Sequence, residues 1–439
     1  MILSEALATF SQLLINIHHN QTMKNKLQLI SVINTDNVSL NGAKLKELVL
    51  EMTDNCSNDF YKWLEDNVTF HNSMVDRITS HRIDDELVPR AEPLPAKALV
   101  IEDLNNRLPA KIRTYGVLIT SEPNELEKLI SLKLLISNAT HSCMVYSMAL
   151  CGFSGTSSCI KNRQFLNLID GIFQQDILSS FKDTLKESAL DTYEEWRTRL
   201  QHPFFEMNTF FVCQNATSKL CIRILPTLIK LVSFNREPSG LLAYAVAVMF
   251  RFLTPVSICD NGVFVGKILK KDDLQDSKIY ANNLSYDLSK GEYQFRNDSE
   301  VDFVNSLYKI SLQKYEDHNS VENLLKELLD LNASECLKAW LSKISSWYFK
   351  ILKDESNCIG QYKTLAEAIN EEKWLELKEI GEFVKATVEN TPVIDLHTHL
   401  FPESHGDLNL HGIDELLTYH YLIAEYFMVV SPRDIQPEG

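Results

Sequence analysis

The sequence predicts a mainly α-helical chain, with a partial α/β unit ahead of the helical body and a second α/β beginning behind it. Three observations predict this. Apolar residues recur at three- and four-residue spacing through most of 80–350. Near the start, KLQLISVIN at 26–34 is followed by a polar loop and a helix, the order of an α/β unit. Near the end, the β-branched run TPVIDLHTH at 391–399 follows a polar connection. The boundaries that follow are 1–78, 79–352 and 353–439.

In chain order, residues 5–18 have helical spacing and 26–34 read as a buried strand. Asn41-Gly42 is a turn signal, with a helix through Leu45, Leu48 and Val49 behind it. The first glycine is Gly42, so no glycine-rich phosphate-binding turn precedes it. The helical pattern then runs through PNELEKLISLKLLISNATHSCMVYSMALCGF, 161–200, 240–253 and 320–352. Residues 255–300 are more polar and read as loops and short helices. Residues 353–375 read as an interdomain connection, with a helix around 376–388 before the final strand.

Composition narrows the function. A length of 439 residues suits two or three domains. The net charge of −16 leaves no basic excess to neutralise phosphates, so no nucleic acid and no anionic membrane is expected as partner. The apolar run 240–258 is interrupted by Arg251 and Pro255 and reads as a buried core helix rather than a membrane span. Nine cysteines without CxxC spacing suit reduced thiols. MILSEALATFSQLLINI lacks the basic start and cleavage site of a signal peptide, and a cytoplasmic chain is expected.

The stretch Lys133-Leu-Leu-Ile-Ser-Asn138-Ala-Thr-His141 carries the chemistry of the body. On an α-helix Asn138 lies about 140° and His141 about 80° around from Lys133, so all three fit one side. A lysine among Leu134, Leu135 and Ile136 has its pKa lowered by desolvation, which suits proton exchange near neutrality. An asparagine amide donates to an oxygen gaining negative charge, and a histidine orients a hydroxyl. From the spacing alone, a surface lysine on a helix with two polar residues is the favoured reading.

With TDNVSLNG at 35–42, FHNSMVDRIT at 70–79 and LVIEDL at 99–104 in the same order, this stretch resembles the long-chain polyol (mannitol) dehydrogenase family, which includes tagaturonate and fructuronate reductases. The resemblance covers roughly residues 10–350. It implies a helical C-terminal substrate domain behind a Rossmann nucleotide-binding domain, of which residues 1–78 hold only a remnant. It implies NAD(P)-dependent reduction of a keto-uronate or ketose without a catalytic metal. Lys133 is then the acid/base, Asn37 and Asn138 are donors to the substrate oxygen, and His141 positions the substrate. Asp76 lies near the nicotinamide; its alternative is an ion pair with Arg77 that fixes the domain junction. The cofactor is NAD or NADP, and the partner is a small sugar acid or polyol. The stretch 202–220 is apolar where relatives carry polar or basic contacts.

His397 and His399 sit at i, i+2 on one strand face and can offer both imidazoles to one ion. The full run VIDLHTHLFPESHGDLNLHGIDELLTYHYLIAEYF resembles the start of uronate (glucuronate) isomerases. There the HxH ends the first strand of a (β/α)8 barrel and binds a divalent metal such as zinc. The 40 residues after His399 hold only the opening of such a barrel. An isomerase behind a reductase couples consecutive steps of hexuronate breakdown, which favours a keto-uronate substrate. The alternatives are a metal-dependent uronate isomerase and a non-catalytic fragment or interaction protein.

Overall fold

Asn41, a fully buried asparagine, organises the front of the chain. Its amide donates to the carbonyls of Asn34 (2.8 Å) and Asp36 (2.9 Å), and its Oδ1 accepts the Ser73 N–H at 2.9 Å. The loop between the first strand and the following helix is thereby stapled to a strand 32 residues away. These observations come from a computed structural model, which describes residues 2–24, 28–77, 97–153, 155–156, 163–202, 207–269, 278–281, 284–287, 290–296, 298–330 and 335–353. The chain divides into two units, Met1–Trp374 and Leu375–Gly439, and every described residue lies in the first.

The front begins with helix α1 (Ile2–Lys24), strand β1 (Ile30–Ile33) and helices α2 (Asn41–Met52) and α3 (Asn58–Asn67). Strand β2 (Val68–His71) then returns parallel to β1, pairing Ile30 with Val68 and Ile33 with His71. A parallel return needs a crossover, supplied here by α2 and α3. Ser57 starts α3 by accepting the Phe60 N–H. Leu14, Val49, Phe60, Trp63, Leu64 and Val68 form the core beneath these elements. Gly42 begins α2 hard against β2: a Cβ there would lie 2.4 Å from the His71 carbonyl oxygen. A second sheet follows, with β3 (Ser73–Val75) antiparallel to β4 (Leu99–Glu102) and β4 parallel to β5 (Leu118–Thr120). The His71 ring joins the two sheets, with Nδ1 2.9 Å from the Glu102 carbonyl and Nε2 3.1 Å from Ser31 Oγ.

The helical body comprises α4 (Glu125–Leu132), α5 (Ala139–Leu150), α6 (Arg163–Ile172), α7 (Asp183–Gln201), α8 (Leu225–Ser233), α9 (Gly240–Leu253), α10 (Val301–Ser311), α11 (His318–Leu329) and α12 (Glu335–Lys353). Three widened π-helical turns, Lys133–Asn138, Phe173–Ile177 and Leu220–Ile224, interrupt the α geometry. Every residue of α5 is buried, and so is all of α9 beyond its first residue, because apolar residues surround both axes; α9 packs on α5 and α12. Arg251 is buried in α9 and donates to the Thr254 carbonyl at 3.1 Å. Among the described residues, no helix is long and apolar enough to cross a membrane, and Cys56, Cys143, Cys151, Cys213, Cys221 and Cys259 are free thiols.

Two expectations are corrected. Continuous helix was expected from about residue 80, but β4 and β5 extend the strand layer to Thr120 and helix resumes at Glu125. The stretch 255–300 was expected as loops and short helices, but its described residues include a five-stranded antiparallel sheet. Its strands are β6 (Ser257–Ile258), β7 (Phe264–Lys267), β8 (Lys278–Ala281), β9 (Leu284–Asp287) and β10 (Glu292–Phe295), in the order β6-β7-β10-β9-β8. The strands have four residues or fewer, and in β10 only alternate positions are apolar. Tyr293 and Phe295 point inward while Glu292 and Gln294 face water. The Tyr293 ring stacks on Phe252 at 4.5 Å and its hydroxyl donates to the Phe252 carbonyl. So short an alternation is submerged in the polar composition around it.

Candidate active site

Lys133, which begins the first π turn, is 8 % exposed. Its Nζ donates to Asn37 Oδ1 at 3.2 Å and to the Val75 carbonyl. A lysine of the helical body is thus held by two groups of the strand layer. Asn37 is in place because Asn34, Asp36 and Asn41 lock its loop: the Asp36 N–H donates to Asn34 Oδ1 (3.0 Å) and the Asn37 N–H to Asp36 Oδ1 (2.8 Å). With its amide oxygen engaged by Lys133, Asn37 presents its NH2 as a donor.

A cavity of about 310 Å3 opens at this junction. Thr35 and Asn37, just past the carboxyl end of β1, line it with Val75 and Asp76 from the end of β3. The helical body contributes Lys133, Asn138, His141 and Trp196, while Met207, Phe211 and Val212 close an apolar side. The structure therefore brings together Lys133, Asn138, His141, Asn37 and Asp76, all expected from the sequence. The angular positions calculated for a regular α-helix do not carry over: a π turn adds a residue per hydrogen-bonded ring, and π turns recur at functional sites. Its carbonyls are satisfied from outside the ladder. Asn138 O accepts from Ser142 Oγ (2.9 Å) and Arg223 Nη1 (3.3 Å), and Ile136 O accepts from Thr140 Oγ1 (2.7 Å).

Burial lowers the Lys133 pKa, an effect that Asp76 opposes and that Arg199 and Arg223 reinforce. Burial also lowers that of His141, to about 3, with Arg223, Lys219 and Arg199 adding to it, so this ring is neutral at ordinary pH. His141 packs 5.3 Å from Trp196, and its Nε2 has no hydrogen-bond partner among the described residues. The Trp196 indole is fixed by donating to Thr140 Oγ1 at 3.1 Å.

Asp76 forms its cross-junction ion pair with Arg199 of α7, the Oδ2 to Nη1 distance being 3.2 Å. Arg199 also donates to the Asp76 carbonyl at 3.1 Å. Arg77, the partner considered for Asp76 from the sequence, also lines the cavity. Sequence reasoning overlooked Lys219 and Arg223. Lys219 lies inside the 202–220 stretch read as apolar, yet it lines the cavity with Arg223. Their i, i+4 spacing in SKLCIRIL was the available signal. Lys219 donates to the Val212 carbonyl, and burial lowers its pKa to about 8. His397 and His399, with the whole isomerase-like stretch 353–439 beyond Lys353, lie outside the described residues.

Residues 4–111 match the mannitol dehydrogenase Rossmann domain and residues 125–283 the mannitol dehydrogenase C-terminal domain. Similar proteins include the uncharacterized oxidoreductase YeiQ of Escherichia coli, 25 % identical over 258 residues, which are 56 % of this chain and 51 % of that protein. Mannitol 2-dehydrogenase of Pyrenophora tritici-repentis is 24 % identical over 240 residues, 52 % of this chain and 42 % of the relative. The chain spans about half the length of the curated relatives it matches. Among solved structures, a substrate-free D-sorbitol dehydrogenase aligns with a TM-score of 0.57 at 18 % identity, covering 81 % of this chain and 65 % of that one. Pseudomonas fluorescens mannitol 2-dehydrogenase, in a ternary complex with NAD and D-mannitol, aligns with a TM-score of 0.53 at 20 % identity, covering 77 % and 62 %. The chain thus carries, in order, sequence of the two domains of the mannitol dehydrogenases, the Rossmann domain over 4–111 and the C-terminal domain over 125–283.

Proposed function

We propose that this chain forms the substrate site of an NAD- or NADP-dependent dehydrogenase of the mannitol dehydrogenase type. It would interconvert a keto-uronate (tagaturonate or fructuronate), or a ketose, with the corresponding sugar acid or polyol. The observation that carries this reading is the buried Lys133 amine, fixed between Asn37 and the Val75 carbonyl at the wall of a cavity shared with Asn138 and His141.

Lys133 has three N–H donors, and two are taken. The third is available to a substrate oxygen in the cavity. With its pKa lowered by burial, the ammonium gives up its proton more readily than an exposed lysine. In the reductive direction it protonates the oxygen as negative charge develops there; in the oxidative direction the free amine takes the hydroxyl proton. The Asn37 and Asn138 amides donate to the same oxygen and stabilise its charge. Neutral His141, braced on Trp196, meets a neighbouring substrate hydroxyl through its unpartnered Nε2.

The residues at the strand side fit the nicotinamide end of the cofactor. Thr35 and Asn37 follow the carboxyl end of β1, a parallel strand, which is where α/β sheets receive ligands. When bound, the nicotinamide supplies or accepts the hydride. Asp76 and Arg199 hold the two layers together beside that position.

The test is NADH or NADPH oxidation by the purified chain with tagaturonate, fructuronate and fructose, beside a Lys133→Ala control. Turnover that disappears in the control supports the proposal. The absence both of turnover and of nicotinamide binding by fluorescence titration overturns it.

A further inference from the structure

The cavity carries more positive charge than its own acids balance. Arg77, Lys133, Lys219 and Arg223 line it, while the carboxylate among its described lining residues, Asp76, is already paired with Arg199. Neither Lys219 nor Arg223 has an ion-pair partner among the described residues: Lys219 donates to one carbonyl, and Arg223 to a carbonyl and a hydroxyl. Cations withdrawn from water to this extent are ordinarily paired, because leaving them unpaired costs several kcal/mol.

The geometry of Arg223 shows what would pair with it. Its Nη1 makes both hydrogen bonds, to Asn138 O at 3.3 Å and Ser142 Oγ at 2.8 Å, which ties the second π turn of the cavity wall to the first. The Nε–Nη2 edge makes no hydrogen bond among the described residues. That edge presents two parallel N–H donors, the fork that binds a carboxylate through both oxygens. Lys219, one turn earlier on the same face, has two further N–H donors beside it. The volume of about 310 Å3 lies at the small end of the range for ligand sites, roughly 300–1,000 Å3, and suits one monosaccharide.

We propose that Arg223 and Lys219 form a carboxylate subsite: the acid end of a six-carbon sugar acid is held by the Arg223 fork while its reacting oxygen lies at Lys133. This rests on Lys133 as the acid/base and selects, from the substrates named above, the carboxylate-bearing class. Arg223 is then the residue that sets preference for sugar acids over uncharged polyols of the same length.

The experiment is isothermal titration calorimetry of the full chain with gluconate and with sorbitol, which differ in having a carboxylate or a CH2OH at one terminal carbon. The expected result is a gluconate preference of about tenfold or more that shrinks as salt is added. In Arg223→Gln and in Lys219→Gln the ratio of gluconate to sorbitol affinity falls towards unity. Lys219→Gln removes a side chain with a single hydrogen bond, so it remains informative if Arg223→Gln does not fold. Equal affinity for the two ligands, a preference that survives in both variants, or binding of neither ligand overturns the subsite. NADH turnover tests the underlying reading separately. Fructose reduction without a gluconate preference would sink the subsite and leave Lys133 as acid/base. A gluconate preference lost in the variants, with no turnover of any keto-sugar, would keep the subsite and sink the dehydrogenase.

Discussion

Lys133 Nζ and Asn37 Oδ1 meet at 3.2 Å although 96 residues separate them, and their contact joins the helical body to the strand layer. Exchanging the neutral amide for a carboxylate alters the proton affinity of the amine directly. If Lys133 is the proposed proton donor, the ammonium is the active form in the reductive direction, and the rate falls as pH rises through the Lys133 pKa. Asn37→Asp places a negative charge against the ammonium and raises that pKa. The alkaline limb of the kcat/KM profile for NADH-dependent reduction is expected to move to higher pH. An unchanged limb would remove Lys133 as the titrating donor.

Lys133→Met should lower turnover by about 10²- to 10⁴-fold, the usual contribution of a positioned proton donor. Stability should hold or rise, since a buried cation is replaced by an apolar chain of similar length. Steady-state kinetics and a thermal melt on the same preparation check both halves.

The Asp76–Arg199 pair can be probed by a double-mutant cycle. Arg199→Met removes a guanidinium that is 3 % exposed and breaks its ion pair with Asp76. The expected loss is about 3 kcal/mol in urea unfolding. Asp76→Asn added to it should recover a part, because the carboxylate that lost this guanidinium is then neutral. Additive losses from the two substitutions would show that the pair is not coupled.

Gly42→Ala tests the seat of the Asn37 loop. The new methyl group would overlap the His71 carbonyl, which is backbone and has no rotamer to change. A destabilisation of about 1–3 kcal/mol is expected. Turnover should fall with it, because the start of α2 and the loop before it move together; a melting temperature equal to the native one would contradict this.

Asp176 lies in the second π turn and is 1 % exposed. Its carboxylate accepts the Ser239 N–H at 2.7 Å and the Ser239 hydroxyl at 2.5 Å, while Ser239 caps α9. Burial raises its pKa from the usual 3.8 to about 6, and the Ser239 bonds only partly oppose this. The folded state therefore keeps a proton that the unfolded chain releases. This group's contribution to stability is greatest below about pH 4, falls as pH rises to about 6, and is lower by about 3 kcal/mol above that. Asp176→Asn should abolish this part of the slope in urea titrations across the same window. A slope identical to that of the native chain would locate the titration elsewhere.

The sequence made the long buried helices legible because apolar residues recur through α5 and run nearly unbroken through α9, with Arg251 too isolated to disguise the pattern. Lys133, Asn138 and His141 were legible as one group, although the π turn that holds them was not. Nothing in KLLISN signals an i→i+5 turn, because the carbonyls it leaves are satisfied by Ser142 and Arg223 from outside that stretch. Lys219 and Arg223 were missed because apolar neighbours dominate their segment, and only the fold shows that both line the cavity. The β6–β10 sheet was missed because strands half in water leave few apolar residues to count.

Because the Lys133 ammonium takes one acceptor from a side chain and one from the backbone of the opposite layer, the proposed proton transfer depends on the contact between the layers. Parting the layers by little more than an ångström would break both bonds, admit water to the amine and return its proton affinity towards that of a free lysine. In the proposed role the amine would work as an interlock, primed when its two supports are seated and idle when they are not.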